Sequence, residues 1–189
     1  MIDLAKSAQD LQRFLGERSW KNCIIGGLAL QRWGQQRLTK DVDVTLLTGF
    51  GGEEHYVDEI LRRYESRIPE GRSFFIANRV VLVKTSDGIG IDIALGGLPF
   101  EEGAIRRASD CEYDGGFTLR TCSAEDLLVM KAIASRERDW DDIDSIIARQ
   151  SGKLDWPLVL GELRPLCELK EAPEIMTRLE QLRQRLDRR

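Results

Sequence analysis

The chain has 189 residues, of which 42% are hydrophobic and 32% charged, proportions that suit a folded globular protein with one substantial core. A net charge of −4 and a pI near 5.2 exclude any general electrostatic pull on nucleic acid and leave only local patches for such binding. No apolar run approaches the roughly eighteen residues of a membrane span, and residues 1 to 10 lack a basic segment followed by an apolar one, so a cytoplasmic protein without membrane contact is expected.

In chain order, Leu4, Ala8, Leu11, Phe14 and Leu15 recur at helical spacing and predict an amphipathic helix over residues 3 to 18. Cys23 to Ile25 is a short apolar strand running into Gly26-Gly27, after which Leu28, Leu30, Gln31 and Trp33 predict a brief helix closed by Gly34. From Asp41 to Leu47 acidic and apolar residues alternate at strand period, and glycine-rich residues 48 to 52 form the following turn. A helix from Glu53 to about Glu65 precedes three predicted β segments, Phe74 to Ala77, Val80 to Thr85 and Ile89 to Leu95. A helical piece near Phe100 to Ala108 leads into a hairpin whose strands, Asp110 to Tyr113 and Phe117 to Thr121, flank Asp114-Gly115-Gly116. Ser123 and Asp126 have the spacing of a helix cap, and the rest reads as helices, with further segments at 139 to 149, 156 to 168 and 172 to 187. The pattern is an α+β chain: a mixed β-sheet flanked by helices over residues 1 to 122, and a C-terminal helical cap over 123 to 189 packed on that core.

Chemistry concentrates at the Asp41-Val42-Asp43 strand. Carboxylates at i and i+2 project from one face about 7 Å apart, a span suited to two divalent ions about 3.5 to 4 Å apart. Asp92, between Ile91 and Ile93, repeats the pattern and supplies a third acid. Gathering three acids is costly without cations, so the arrangement predicts a site for Mg²⁺, most simply two ions, which prefers carboxylates, water and substrate phosphates. Gly26 and Gly27 place unobstructed backbone N–H groups at a helix start, where a phosphate is held well. Together these features predict in-line displacement at the α-phosphate of a nucleoside triphosphate.

Gly26-Gly27 and Asp41-Val42-Asp43, within IIGGLALQRWGQQRLTKDVDV, resemble the signature of polymerase-β-like nucleotidyltransferases. With the later segment SAEDLLVMKAIASRERDWDDI, the likeness is to the AbiEii/MenT-type branch, known for toxins of toxin–antitoxin and abortive-infection systems. The resemblance implies the nucleotidyltransferase fold, with Asp41 and Asp43 as metal-binding acids and Gly26 and Gly27 at the phosphate. It implies a nucleotide-phosphate contact for Lys131, a site role for Asp139 of the R-x-x-D segment and a triphosphate-neutralising role for Arg37. Asp92 matches the superfamily's third acid, a metal ligand or general base. It further implies transfer of a nucleoside monophosphate to an acceptor, with RNA, in particular tRNA, and a cognate antitoxin as partners. Many toxin members are longer, with larger C-terminal domains, so a small antibiotic-like acceptor, a protein acceptor, and a non-catalytic partner-binding module of the same fold are the alternatives.

The remaining features read more simply. Cys23, Cys111, Cys122 and Cys167 are scattered and predict free, mostly buried thiols, and His55, the lone histidine, reads as a solvated helix residue. Gly49-Phe50-Gly51-Gly52 looks like a dinucleotide-binding turn but has Glu54 where a third glycine belongs, with Glu53 beside it. The acids 139, 141, 142 and 144 suit a helix start, and Arg178, Arg183, Arg185, Arg188 and Arg189 fit either a solvated helix or an RNA-phosphate patch.

Overall fold

The computed structural model describes residues 2–186, with side chains from residue 4 onward. It resolves into two compact units: Met1–Ala29 with Leu38–Cys122, and Leu30–Arg37 with Ser123–Arg189.

The first unit begins with helix α1 (Ile2–Gly16) and strand β1 (Asn22–Ile24), and helix α2 (Gly26–Trp33) starts here and finishes in the second unit. Strand β2 (Asp41–Leu47), helix α3 (Glu53–Arg63), β3 (Glu65–Ser66), α4 (Gly71–Asn78), β4 (Val80–Lys84), β5 (Gly90–Gly96), α5 (Pro99–Arg107), β6 (Ser109–Tyr113) and β7 (Phe117–Thr121) follow. The strands form one seven-stranded sheet in the order β3-β4-β5-β2-β1-β7-β6. It is mixed: β2 runs parallel to β5 and β1 parallel to β7, while the other pairings are antiparallel.

Alternation along the strands decides which face is buried. Val42, Val44 and Leu46 of β2, Val81 and Val83 of β4, and Ile91 and Ile93 of β5 enter one core with Leu4, Ala8, Leu11 and Leu15 of α1, Val57 and Ile60 of α3 and Phe75 of α4. Each such buried aliphatic side chain contributes about 1.5–3 kcal/mol. The period of two then sends Asp41, Asp43 and Asp92 to the other face. Strand and core together fix the direction of the acids.

One predicted element is wrong in kind. Phe74 to Ala77, expected as a β segment, lies inside helix α4. Helical geometry buries Phe75 and leaves Phe74 exposed, and the helix is bounded by Glu70 (φ 51°) and Arg79 (φ 52°), left-handed turns at non-glycine residues.

The second unit holds α6 (Ala124–Ala134), α7 (Glu137–Arg149), α8 (Trp156–Lys170) and α9 (Glu174–Leu186). Ser123 Oγ accepts the Asp126 N–H at 3.1 Å, capping α6, and Asp155 caps α8 by accepting the Leu158 N–H at 3.0 Å. Residues 30–37 are tied to α7: Arg149 donates to the Gly34 carbonyl at 2.6 Å, Gln150 to the Trp33 carbonyl at 3.0 Å, and the Gln35 N–H to Ser145 Oγ at 3.1 Å.

Candidate active site

Asp41 and Asp43 project from the start of β2, and the parallel register sets Asp43 beside Asp92 and Asp41 beside Gly90 on β5. Asp43 is held from α2, where the Gly27 N–H donates to its Oδ2 at 3.3 Å. Close approach explains both glycines. A Cβ on Gly26, whose φ is +58°, would lie 2.1 Å from Asp43 Oδ2, and one on Gly27 would lie 2.5 Å from Thr39 Oγ1. Gly90 has the same function on the other strand, since a Cβ there would stand 2.0 Å from Asp41 Oδ1.

Arg67, which sequence reasoning missed, completes this face. Its Nη1 lies 3.6 Å from Asp41 Oδ1, and its Nη2 donates to Asp92 Oδ1. The Arg67 N–H donates to the Leu82 carbonyl at 2.9 Å, continuing the β3 edge, and Leu82 is the β4 partner of Asp92. Only the cross-strand register connects Arg67 with the acids, so no local motif signals it.

Hard carboxylate oxygens are the correct donors for magnesium. Among the described residues, however, no three His, Cys, Asp or Glu side chains are gathered tightly enough to hold an ion. In this structure Asp41 and Asp92 instead face a guanidinium and Asp43 faces a backbone N–H. The donor chemistry fits the metal, and the positive charge of Arg67 stands between two of the acids.

The other expected residues come together within the second unit. Lys131 Nζ is 2.9 Å from Asp139 Oδ1 and 2.7 Å from Asp142 Oδ2, and Asp139, at 0% exposure, is also bound by Arg136 Nε at 2.7 Å. Arg37 forks onto Asp142 with bonds of 3.0 and 3.1 Å. Burial pushes the Asp139 and Asp142 carboxyls upward, but hydrogen bonds outweigh it, from Arg136 and Lys131 at Asp139 and from Arg37 and Lys131 at Asp142, and both end below the ordinary range. Lys131 is thus a buried, doubly paired ammonium. Asp142, read from the sequence as one of an acidic run at a helix start, is buried.

Of the C-terminal arginines, Arg178 pairs with Glu137 at 3.2 Å and lies over Trp140, Arg183 lies over Trp156, and Arg185 is 3.7 Å from Asp144. Arg188 and Arg189 fall outside the described residues. The four cysteines are free thiols, three of them buried, and exposed His55 touches the rings of Trp20 and Tyr56. No helix is long and apolar enough to cross a membrane among the described residues.

Residues 10–163 match the family model described as nucleotidyl transferase AbiEii toxin of a type IV toxin–antitoxin system. An antigenic nucleotidyltransferase-like protein from Paracoccidioides brasiliensis superposes with a TM-score of 0.53 at 16% identity, covering 94% of this chain and 92% of that one. Lincomycin-bound lincosamide antibiotic adenylyltransferase LnuA gives a TM-score of 0.48 at 15% identity, covering 72% of this chain and 91% of that one. No curated protein matches the sequence. The α+β fold with its mixed sheet is the nucleotidyltransferase fold.

Proposed function

Because the chain belongs to the AbiEii nucleotidyl transferase toxin family, we propose that it moves a nucleoside monophosphate from a nucleoside triphosphate to an acceptor hydroxyl, with RNA, in particular a tRNA end, as the acceptor. The observation that carries this reading is the phosphate turn bonded to an acid of the same face: Gly27 N–H on Asp43, with Asp41 and Asp92 in adjacent register. In the reaction the acceptor oxygen forms a bond to the α-phosphorus as the bond to the pyrophosphate oxygen breaks. Asp92 takes the acceptor proton, and pyrophosphate leaves.

Asp41, Asp43 and Asp92 would hold magnesium, which when bound supplies positive charge against the phosphates. Gly26 and Gly27 let Asp43 and Thr39 approach the start of α2, where the helix dipole favours an anion. We assign the expected nucleotide-binding role of Arg37, Lys131 and Asp139 to the cluster they form with Arg136 and Asp142, in which Arg37 and Arg136 keep exposed surface. The guanidinium groups of Arg37 and Arg136 suit a phosphate ligand. The type IV toxin–antitoxin description of the family supports a cognate antitoxin as the protein partner.

The test incubates the protein with Mg²⁺, each radiolabelled nucleoside triphosphate in turn and total tRNA, beside an Asp41→Asn/Asp43→Asn control. Label in RNA from the wild type alone is the expected result. Binding of Mg²⁺-nucleotide without transfer to RNA would redirect the acceptor to a small molecule or protein, and neither binding nor transfer would sink the catalytic reading.

A further inference from the structure

We propose that Arg67 is a built-in competitor for the divalent ion, holding Asp41 and Asp92 in the free protein and releasing them when an anionic substrate draws the guanidinium away. The inference rests on the proposed metal-dependent transfer and specifies how its carboxylates are kept before substrate arrives.

Three observations converge on this arginine. Its two terminal nitrogens address different acids on different strands, Asp41 on β2 and Asp92 on β5, so one guanidinium bridges two groups assigned to the metal. Arg67 stems from the sheet edge and reaches across Leu82 to do so, in a register line that runs Arg67, Leu82, Asp92, Asp43 over four neighbouring strands or their extensions. The space for the bridge is also kept clear, since a Cβ on Gly90 would meet Asp41 Oδ1 at 2.0 Å and Arg67 Nη1 at 2.9 Å.

A planar cation that satisfies two carboxylates removes much of their attraction for a second cation. The same cation, about 29% exposed on a face also lined by the phosphate turn, is accessible to a polyphosphate. Exchange of partners from carboxylate to phosphate conserves charge at Arg67 while freeing Asp92 for its role. Nucleotide and divalent ion therefore bind with positive coupling, each favouring the state in which Arg67 has let go.

The experiment measures Mn²⁺ binding to the full chain without nucleotide, by electron paramagnetic resonance of the free ion and by calorimetry. R67Q is expected to bind about tenfold more tightly than wild type, and R67K, which keeps charge but cannot fork onto two acids, to fall between them. Asp92→Asn should cost more Mn²⁺ affinity in the R67Q background than in the wild type, where Arg67 already occupies that carboxylate, a coupling that a merely structural arginine would not show. If R67Q and R67K bind as the wild type does while the Asp41→Asn/Asp43→Asn protein has lost the ion, the competitor role is wrong and the metal site stands. Should neither wild type nor either Arg67 variant bind Mn²⁺ above that control, the metal reading itself fails and the proposal with it.

Discussion

A methyl group added to Gly26 would stand 2.1 Å from Asp43 Oδ2 on a backbone whose φ is +58°. Left-handed backbone costs an L-residue roughly 1–2 kcal/mol, and here the carboxylate must move as well. Gly26→Ala should lower the melting temperature by several degrees and reduce transfer together, whereas Gly49→Ala, with φ +70° and nothing within 4 Å, should lower only the melting temperature. Calorimetry beside the RNA-labelling assay separates the two effects. Asp43→Asn keeps an oxygen for the Gly27 N–H but removes the charge, so transfer should fall by about 10²–10³-fold with little change in melting. The common face of Asp41, Asp43 and Asp92 was legible in the sequence because strand alternation is local. Arg67 was not, because its link to the acids runs through the register of β4 and β5, and Asp142 was hidden in an acidic run whose members differ in burial, Asp139 and Asp142 buried and Asp141 exposed.

Helices α6 and α7 are joined by charge as well as by apolar packing. Lys131, Asp139 and Asp142 are all buried, so Lys131→Met leaves two carboxylates short of a partner, at a cost of about 3–5 kcal/mol. Chemical denaturation at neutral pH should show that loss. The folded-state carboxyls of Asp139 and Asp142 titrate below the unfolded ones, so their stabilisation is complete above the unfolded carboxylate pKa, about 3.9, and disappears as pH falls through the folded values. The stability gap between wild type and Lys131→Met should therefore narrow in acid. An unchanged gap from neutral pH to well below pH 4 would contradict this account. At this scale most helices and strands followed from periodicity and caps. Helix α4 did not, because three consecutive apolar residues, Phe74 to Ile76, fit either period and its ends are set by left-handed Glu70 and Arg79, which carry no glycine signal.

Across the whole chain, the four thiols are free and only Cys111 is even partly accessible. Native protein should react rapidly with one equivalent of a thiol reagent and unfolded protein with four, and reductant should leave the melting temperature unchanged. The mixed sheet and the helical C-terminal segment were legible from the order of patterns, but the strand order was not. Parallel pairs join segments far apart in sequence, and nothing in a local window encodes which distant strand will be the neighbour. Such pairing also sets a schedule during synthesis. Asp41 and Asp43 leave the ribosome well before Asp92, and the ladder aligning Asp43 with Asp92 cannot close until β5 has emerged. The pairing of β1 with β7 waits longer still, for Thr121. On the proposed mechanism a nascent chain carrying only the first two acids should transfer nothing until the strand that sets Asp92 beside Asp43 has been translated.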